Sequence, residues 1–236
     1  MQSTVPASVP APAAALNEVL AQTAGRPILV AFEYTPAYGG ELNPEAQLLL
    51  AQAAASGSPL LTISQYTAGT AVAAEQTAAY NPIALPLLPG EAMGLRQLAL
   101  CLDAANNCTS LNGRALSPET AAQLSNVAAI ILLTGERSSL VNWVEQVTAS
   151  SQAPLVVGST QALAPMVAPY YASGQVSGYL EGLPATIAYQ NSYQSAVDFT
   201  AADAQYGAQS LVLWAAALIL LFGSLTLGYF RKNRNK

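Results

Sequence analysis

VAAIILL, residues 127–133, is a run of seven apolar residues that ends at Thr134-Gly135. It has neither the two-residue alternation of a strand with one wet face nor the length of a helix. It therefore reads as the strongest strand in the chain, buried on both faces and central in its sheet. The same texture recurs at 27–32 (PILVAF), 60–63 (LLTI), 83–88 (IALPLL) and 155–157 (LVV), with a short strand expected at 176–180. Pro86 cannot donate to a ladder on both sides, which places 83–88 at an edge or breaks it.

Helical patterns fill the intervals. They are expected at 14–23, 43–55, 71–80 and 92–103. A further one is opened by Ser138-Ser139, with Leu140, Val144 and Val147 on one face, and the last carries Leu163, Met166, Val167 and Tyr170. Asn43-Pro44-Glu45 reads as N-cap, first-turn proline and first-turn acid. Residues 104–117 are polar and turn-rich, a surface excursion. Apolar strands alternating with helices predict an α/β fold: a doubly wound, mostly parallel sheet, Rossmann-like or flavodoxin-like, with one C-terminal transmembrane helix. The strand order does not follow from the sequence.

The transmembrane expectation rests on LVLWAAALILLFGSLTLGYF, residues 211–230, which contains no charged residue. At the helical rise it spans about 30 Å, one bilayer core. Trp214 and Tyr229 stand near its ends, at headgroup depth, and Arg231 and Lys232 follow at once. The expected organisation is a Pro/Ala-rich linker over 1–15, an α/β domain over 16–190, a juxtamembrane segment over 191–210, the span, and a basic tail over 231–236. The first 210 residues hold all thirteen acidic side chains against four arginines, a formal charge of −9, while the tail carries +4. This asymmetry places the tail in the cytoplasm and the large domain outside it. Residues 1–20 have no basic n-region and no apolar core, so an extracytoplasmic domain expects its true start and export signal upstream of Met1, and the alternative is a tail-anchored protein with a cytoplasmic domain.

An acidic domain without lysine has no electrostatic footprint for nucleic acid. Only 17 of those 210 residues are charged, and so uncharged a surface is cheaply desolvated by a partner. Cys101 and Cys108, seven apart, suit a short-loop disulfide in an exported domain and two ordinary thiols in a cytoplasmic one.

Ligands of such sheets collect at the carboxyl ends of the strands. The candidate ligand-binding residues there are Glu33, Tyr34, Gln65, Tyr66, Glu136 and Thr160, with Ser64, Gly135, Ser159 and Gln161 beside them. The alternative is that they are helix caps and strand-end polar residues. The chain has no histidine, which excludes a Ser-His-Asp or Cys-His nucleophile and any His-ligated metal. No glycine-rich dinucleotide fingerprint follows the first strand, where the turn is YTPAYGG, and no lysine stands before the tail to complete a P-loop. No catalytic residue, metal site or cofactor is expected. A carboxylate-only enzyme, such as a glycosidase, would need two of Glu33, Glu41 and Glu136 to face each other across a pocket.

Three segments, PILVAFEYTPAYGGELNPEAQLLL, LPLLPGEAMGLRQLAL and PLVVGSTQALAPMVAPYYASGQVSGYLEGLPATIAYQ, together resemble a family of uncharacterised membrane-anchored α/β proteins from Chloroflexi-type bacteria. The resemblance implies a topology and supplies no catalytic motif. A more distant similarity, in strand–helix pattern only, is to the extracytoplasmic α/β domains of transporter-auxiliary proteins of the gliding type. The expected function is a non-catalytic binding or scaffolding domain, an accessory subunit of a membrane protein assembly, with the lipid bilayer and membrane proteins as partners. The alternative is an extracytoplasmic solute- or glycan-binding domain or a transporter-auxiliary protein, with its small-molecule ligand unidentified.

Overall fold

A computed structural model of the chain describes residues 9–106 and 108–193. The described chain opens with α1 (Ala11–Ala21), which begins inside the stretch expected to be linker. Pro10 precedes this helix and Pro12 lies in its first turn, where a missing N–H removes nothing from the helix. Then come β1 (Ile28–Glu33), a 3-10 turn (Pro36–Tyr38), α2 (Gly39–Ala55), β2 (Leu60–Ile63), α3 (Thr67–Gln76), β3 (Ile83–Ala84) and α4 (Glu91–Leu102). The excursion forms a small hairpin, β4 (Ser110–Leu111) with β5 (Arg114–Ala115), and leads into α5 (Pro118–Ser125). The second half runs β6 (Ala129–Thr134), α6 (Arg137–Trp143), a π-turn (Val144–Thr148), β7 (Leu155–Ser159), α7 (Ala164–Ala172), β8 (Gly178–Glu181) and α8 (Gly182–Tyr193).

Six strands form one sheet in the order β3-β2-β1-β6-β7-β8, every neighbouring pair parallel. Counted over the sheet alone this is 3-2-1-4-5-6, the Rossmann order rather than the flavodoxin one. The predicted central run, 127–133, supplies β6, which pairs with β1 from Ile28↔Ala129 to Glu33↔Thr134. Both strands are buried at every position, as continuous apolar runs require. The edge expected from Pro86 is the two-residue β3.

Alternate side chains of the strands feed two layers. Leu29, Ala31, Leu61, Ile63, Ile130, Leu132, Leu155 and Val157 pack with Leu95 and Leu98 of α4, Leu140 and Trp143 of α6, and Val167 of α7. The other face is covered by α1, α2, α3 and α8; α1 lies on β8, and α8 on α2. Helices on both faces make the sheet doubly wound. Among the described residues no helix is long and apolar enough to cross a membrane. The predicted span, with Trp214 and Tyr229, and the tail, with Arg231 and Lys232, lie outside the described residues. So does the juxtamembrane segment from residue 194 onward, residues 191–193 being the last turn of α8.

Cys101, in the last turn of α4, is bonded to Cys108, with their Cα atoms 4.9 Å apart. A loop this short contributes about 2 kcal/mol through the entropy it removes from the unfolded chain.

Two helix starts differ from expectation. The 3-10 turn runs directly into α2, so Asn43-Pro44-Glu45 lies inside that helix instead of opening it. Pro44 leaves the Gly40 carbonyl without its helical donor, and Gly40 is exposed to water, which supplies one. Ser139 likewise does not cap α6; Glu136 occupies the N-cap position and Ser139 is buried in the first turn.

Candidate functional site

The strand order reverses between β1 and β6, so the crevice in which folds of this class hold ligands opens over Glu33 and Thr134. The floor is set by β1. Glu33 is its last residue and is fully buried, because the alternation that sends Leu29 and Ala31 toward α6 sends Glu33 the same way. Its Oε1 accepts the Gln65 backbone N–H at 3.0 Å, which joins the end of β1 to the turn after β2. Its Oε2 has no hydrogen-bond partner, and neither has the indole Nε1 of Trp143. Burial pushes the Glu33 carboxyl up to about 7, against the opposing pull of the Gln65 N–H and of the nearby Trp143 indole.

Two tyrosines close the crevice from above. The Tyr38 hydroxyl donates to Glu136 Oε1 at 2.7 Å, joining the turn after β1 to the turn after β6. That hydrogen bond, with the carboxylate charge behind it, raises the Tyr38 hydroxyl pKa. Gly135 is what lets the ring lie there: a Cβ on residue 135 would stand 2.7 Å from the ring. On the other side of Glu33, the Tyr66 hydroxyl meets Ser139 Oγ at 3.1 Å, tying the turn after β2 to α6. Gln65 turns its side-chain amide away to the Glu91 carbonyl, 2.8 Å off, and Ser64 Oγ holds the Phe32 carbonyl at 2.8 Å.

Farther along the same sheet edge, two carboxyls of α2 reach the ends of β7 and β8. Glu41 Oε2 accepts the Gln161 backbone N–H at 2.8 Å. One helical turn on, Glu45 is fully buried with neither oxygen in a hydrogen bond. Burial drives its pKa far above the usual carboxyl range; the Gly182 N–H and the Thr186 hydroxyl oppose the shift and the Glu41 charge adds to it. Gly158 in β7 makes room for this side chain, since a Cβ there would stand 2.7 Å from Glu45 Oε2.

Of the six candidate residues, the fold gathers Glu33, Gln65, Tyr66 and Glu136 around the switch point. Tyr34 does not join them: it is buried on the opposite face, and its hydroxyl donates to Asn43 Oδ1 at 2.9 Å. Thr160 is buried past the end of β7, on the far side of β6 from Gln65. Glu33, Glu41 and Glu136 each hold a different partner, and no two of them share one. Sequence reasoning missed Tyr38, Ser139, Trp143 and Glu45. A signal existed for Trp143, which stands three residues after Leu140 on the face already read as apolar. None existed for Tyr38, whose place depends on Gly135 nearly a hundred residues away. Among the described residues no group of three acidic, cysteine or histidine side chains is arranged to hold a metal ion. No protein-family model matches the chain, and no curated protein matches it.

Proposed function

We propose that this chain is a non-catalytic α/β binding or scaffolding domain, tethered to a membrane by residues 211–230 and serving as an accessory subunit of a membrane protein assembly. One observation carries the reading: at the end of the sheet where such folds take ligands, the chain's own glutamates occupy backbone N–H donors. Gln65 N–H is taken by Glu33 and Gln161 N–H by Glu41, while Tyr38 fills the space above Gly135. In nucleotide-binding relatives of this fold such donors are left free for an anion. Here added negative charge meets carboxylates instead.

The tether is supported by the uncharged twenty-residue stretch and the cations that follow it. The Cys101–Cys108 bond supports an oxidising compartment, and with it an extracytoplasmic domain. The resemblance to membrane-anchored α/β proteins agrees with both. The test is detergent extraction of the tagged full-length chain from its native membranes. The expected result is sedimentation with membranes before extraction and co-purification with stoichiometric membrane protein afterwards. A chain that stays in the supernatant without detergent, or emerges as a monodisperse monomer, overturns the reading.

A second reading, an extracytoplasmic solute- or glycan-binding domain, is favoured by the unpaired polar atoms at the crevice floor. Thermal stabilisation by a sugar, peptide or nucleotide in a ligand screen would select it.

A further inference from the structure

At the opposite end of the sheet, below the amino ends of β1, β6 and β7, lies an open cleft of about 550 Å³. That is within the range of about 300–1,000 Å³ in which small-molecule sites fall. Its walls come from the approaches to those three strands and from the ends of α1, α4 and α5. Two smaller hollows, of about 290 and 200 Å³, are lined by no charged side chain. This one is lined by both Arg26 and Asp103, with Gln22, Asn126, Ser150 and Gln152 beside them. Small-molecule sites are lined mostly by apolar groups, so a cleft with this lining selects a polar occupant.

The cleft presents two signs of charge. Three helices, α1, α4 and α5, finish at its rim, and the π-turn Val144–Thr148 finishes just before Ser150. The last carbonyls of a helix carry partial negative charge, and none of these four elements has a basic residue in its last turn to answer it. Asp103, at the C-cap of α4, adds a carboxylate. It accepts the Ala105 N–H at 2.9 Å and the Asn106 amide at 3.2 Å, which leaves lone pairs for a further donor. Asn126 donates its amide to the Ala122 carbonyl at 3.0 Å, and its Oδ1 remains an acceptor. Against these acceptors stands Arg26. Its guanidinium, like the side-chain amides of Gln22 and Gln152, is in no hydrogen bond or ion pair among the described residues.

We propose that the amino-end cleft binds a small zwitterion of the amino-acid class, its ammonium group among the helix carboxyl ends and Asp103 and its carboxylate on the Arg26 guanidinium. The alternatives each leave one half of the site unanswered. A simple anion would satisfy Arg26 but meet the helix carbonyls, Asp103 and a domain whose first 210 residues carry a formal charge of −9. A simple cation would suit those acceptors and be repelled by Arg26. A neutral sugar would use neither charge. Arginine is suited to its part, because its planar fork takes a carboxylate through two parallel hydrogen bonds. Gln22, Ser150 and Gln152 are left to hold a polar side chain of the ligand. This site goes beyond the scaffold reading and does not rest on it, and it shares no residue with the crevice at the carboxyl end.

The test follows thermal unfolding and calorimetric binding of the full-length chain in detergent micelles. The probes are the free L-amino acids, added one at a time at millimolar concentration, with butylamine, butyrate and glucose as controls that carry one charge or none. At least one amino acid is expected to raise the melting temperature with increasing dose, and the controls are not. Arg26→Ala changes an exposed side chain, so the ligand-free melting temperature should stay where it was while binding weakens about tenfold. Asp103→Asn should weaken it in the same sense and serves as a second variant should the first not fold. If no amino acid stabilises the chain, or if the folded variants bind as the parent does, the site does not exist as described. Equal stabilisation by butylamine, butyrate or glucose overturns the zwitterion.

Discussion

The two ends of the parallel sheet have been treated in opposite ways. At the carboxyl end, the donors that strand ends and helix starts present are met by Glu33 and Glu41, and two tyrosine hydrogen bonds span the switch point. At the amino end an open cleft of about 550 Å³ remains, lined in part by Gln22, Arg26, Asp103, Asn126 and Gln152. In a fold of this class helices begin over the carboxyl end and finish over the amino end, so the first is rich in N–H groups and the second in carbonyls. The contrast shows that a ligand-binding end is not a property of the fold alone. It exists only where the chain leaves its donors unfilled, and this chain fills one with the buried Glu33, at a cost in stability that depends on pH, and another with the half-exposed Glu41.

The comparison breaks most readily at Trp143. Truncation to alanine removes the largest fully buried side chain of the domain and leaves a cavity under the crevice. The expected loss is about 3–5 kcal/mol in denaturant unfolding. A loss below about 1 kcal/mol would mean that the carboxyl end is not packed as described.

The second effect is pH-dependent. The Glu33 carboxyl is raised from 4.5 to about 7 in the folded chain, so the folded state holds its proton over a range in which the unfolded state has released it. The associated stability is fully present below pH 4.5, declines as the pH rises through about 7, and is gone above that. Its size is on the order of 3 kcal/mol. Glu45, raised in the same sense, adds to the decline. Thermal unfolding followed against pH should therefore fall toward neutrality, and Glu33→Gln should flatten the part due to Glu33. A melting temperature that rises over this interval would contradict the burial of both acids.

A smaller change is expected from Gly135→Ala, whose Cβ would press on the body of the Tyr38 ring. The ring must move and Glu136 must lose its donor, for about 1–3 kcal/mol of overpacking strain. The Tyr38 hydroxyl should then titrate at lower pH, as seen in the tyrosinate absorbance. At the other end, Arg26→Ala changes an exposed side chain at the open cleft and should leave stability within about 0.5 kcal/mol. A larger effect there would show that the amino-end cleft is structural after all.

Legibility followed the same division. Strands buried on both faces announce themselves by composition, so 127–133 and 27–32 were placed in the sheet from their residues alone, as was the edge at Pro86. Local capping chemistry was a less certain guide. Ser117-Pro118-Glu119 and Asn43-Pro44-Glu45 carry the same signature of cap, proline and acid. The first does open a helix: Ser117 Oγ accepts the Thr120 N–H at 3.1 Å, ahead of α5. The second sits inside α2, where Asn43 serves Tyr34 and Glu45 is buried against β7. The last helix, α8, gave little apolar signal, because it docks largely through small residues and through Tyr189, whose hydroxyl reaches Asn17 and Gln52.

The residues by themselves determined the α/β class, the parallel sheet, the edge strand and the identity of most strand-end polar groups, because burial on two faces is written in each segment's own composition. The strand order, the closure of the switch point and the pairing of each glutamate with its N–H were decided by tertiary structure. Those contacts join residues tens to more than a hundred positions apart, and neither partner alone says which other it will meet.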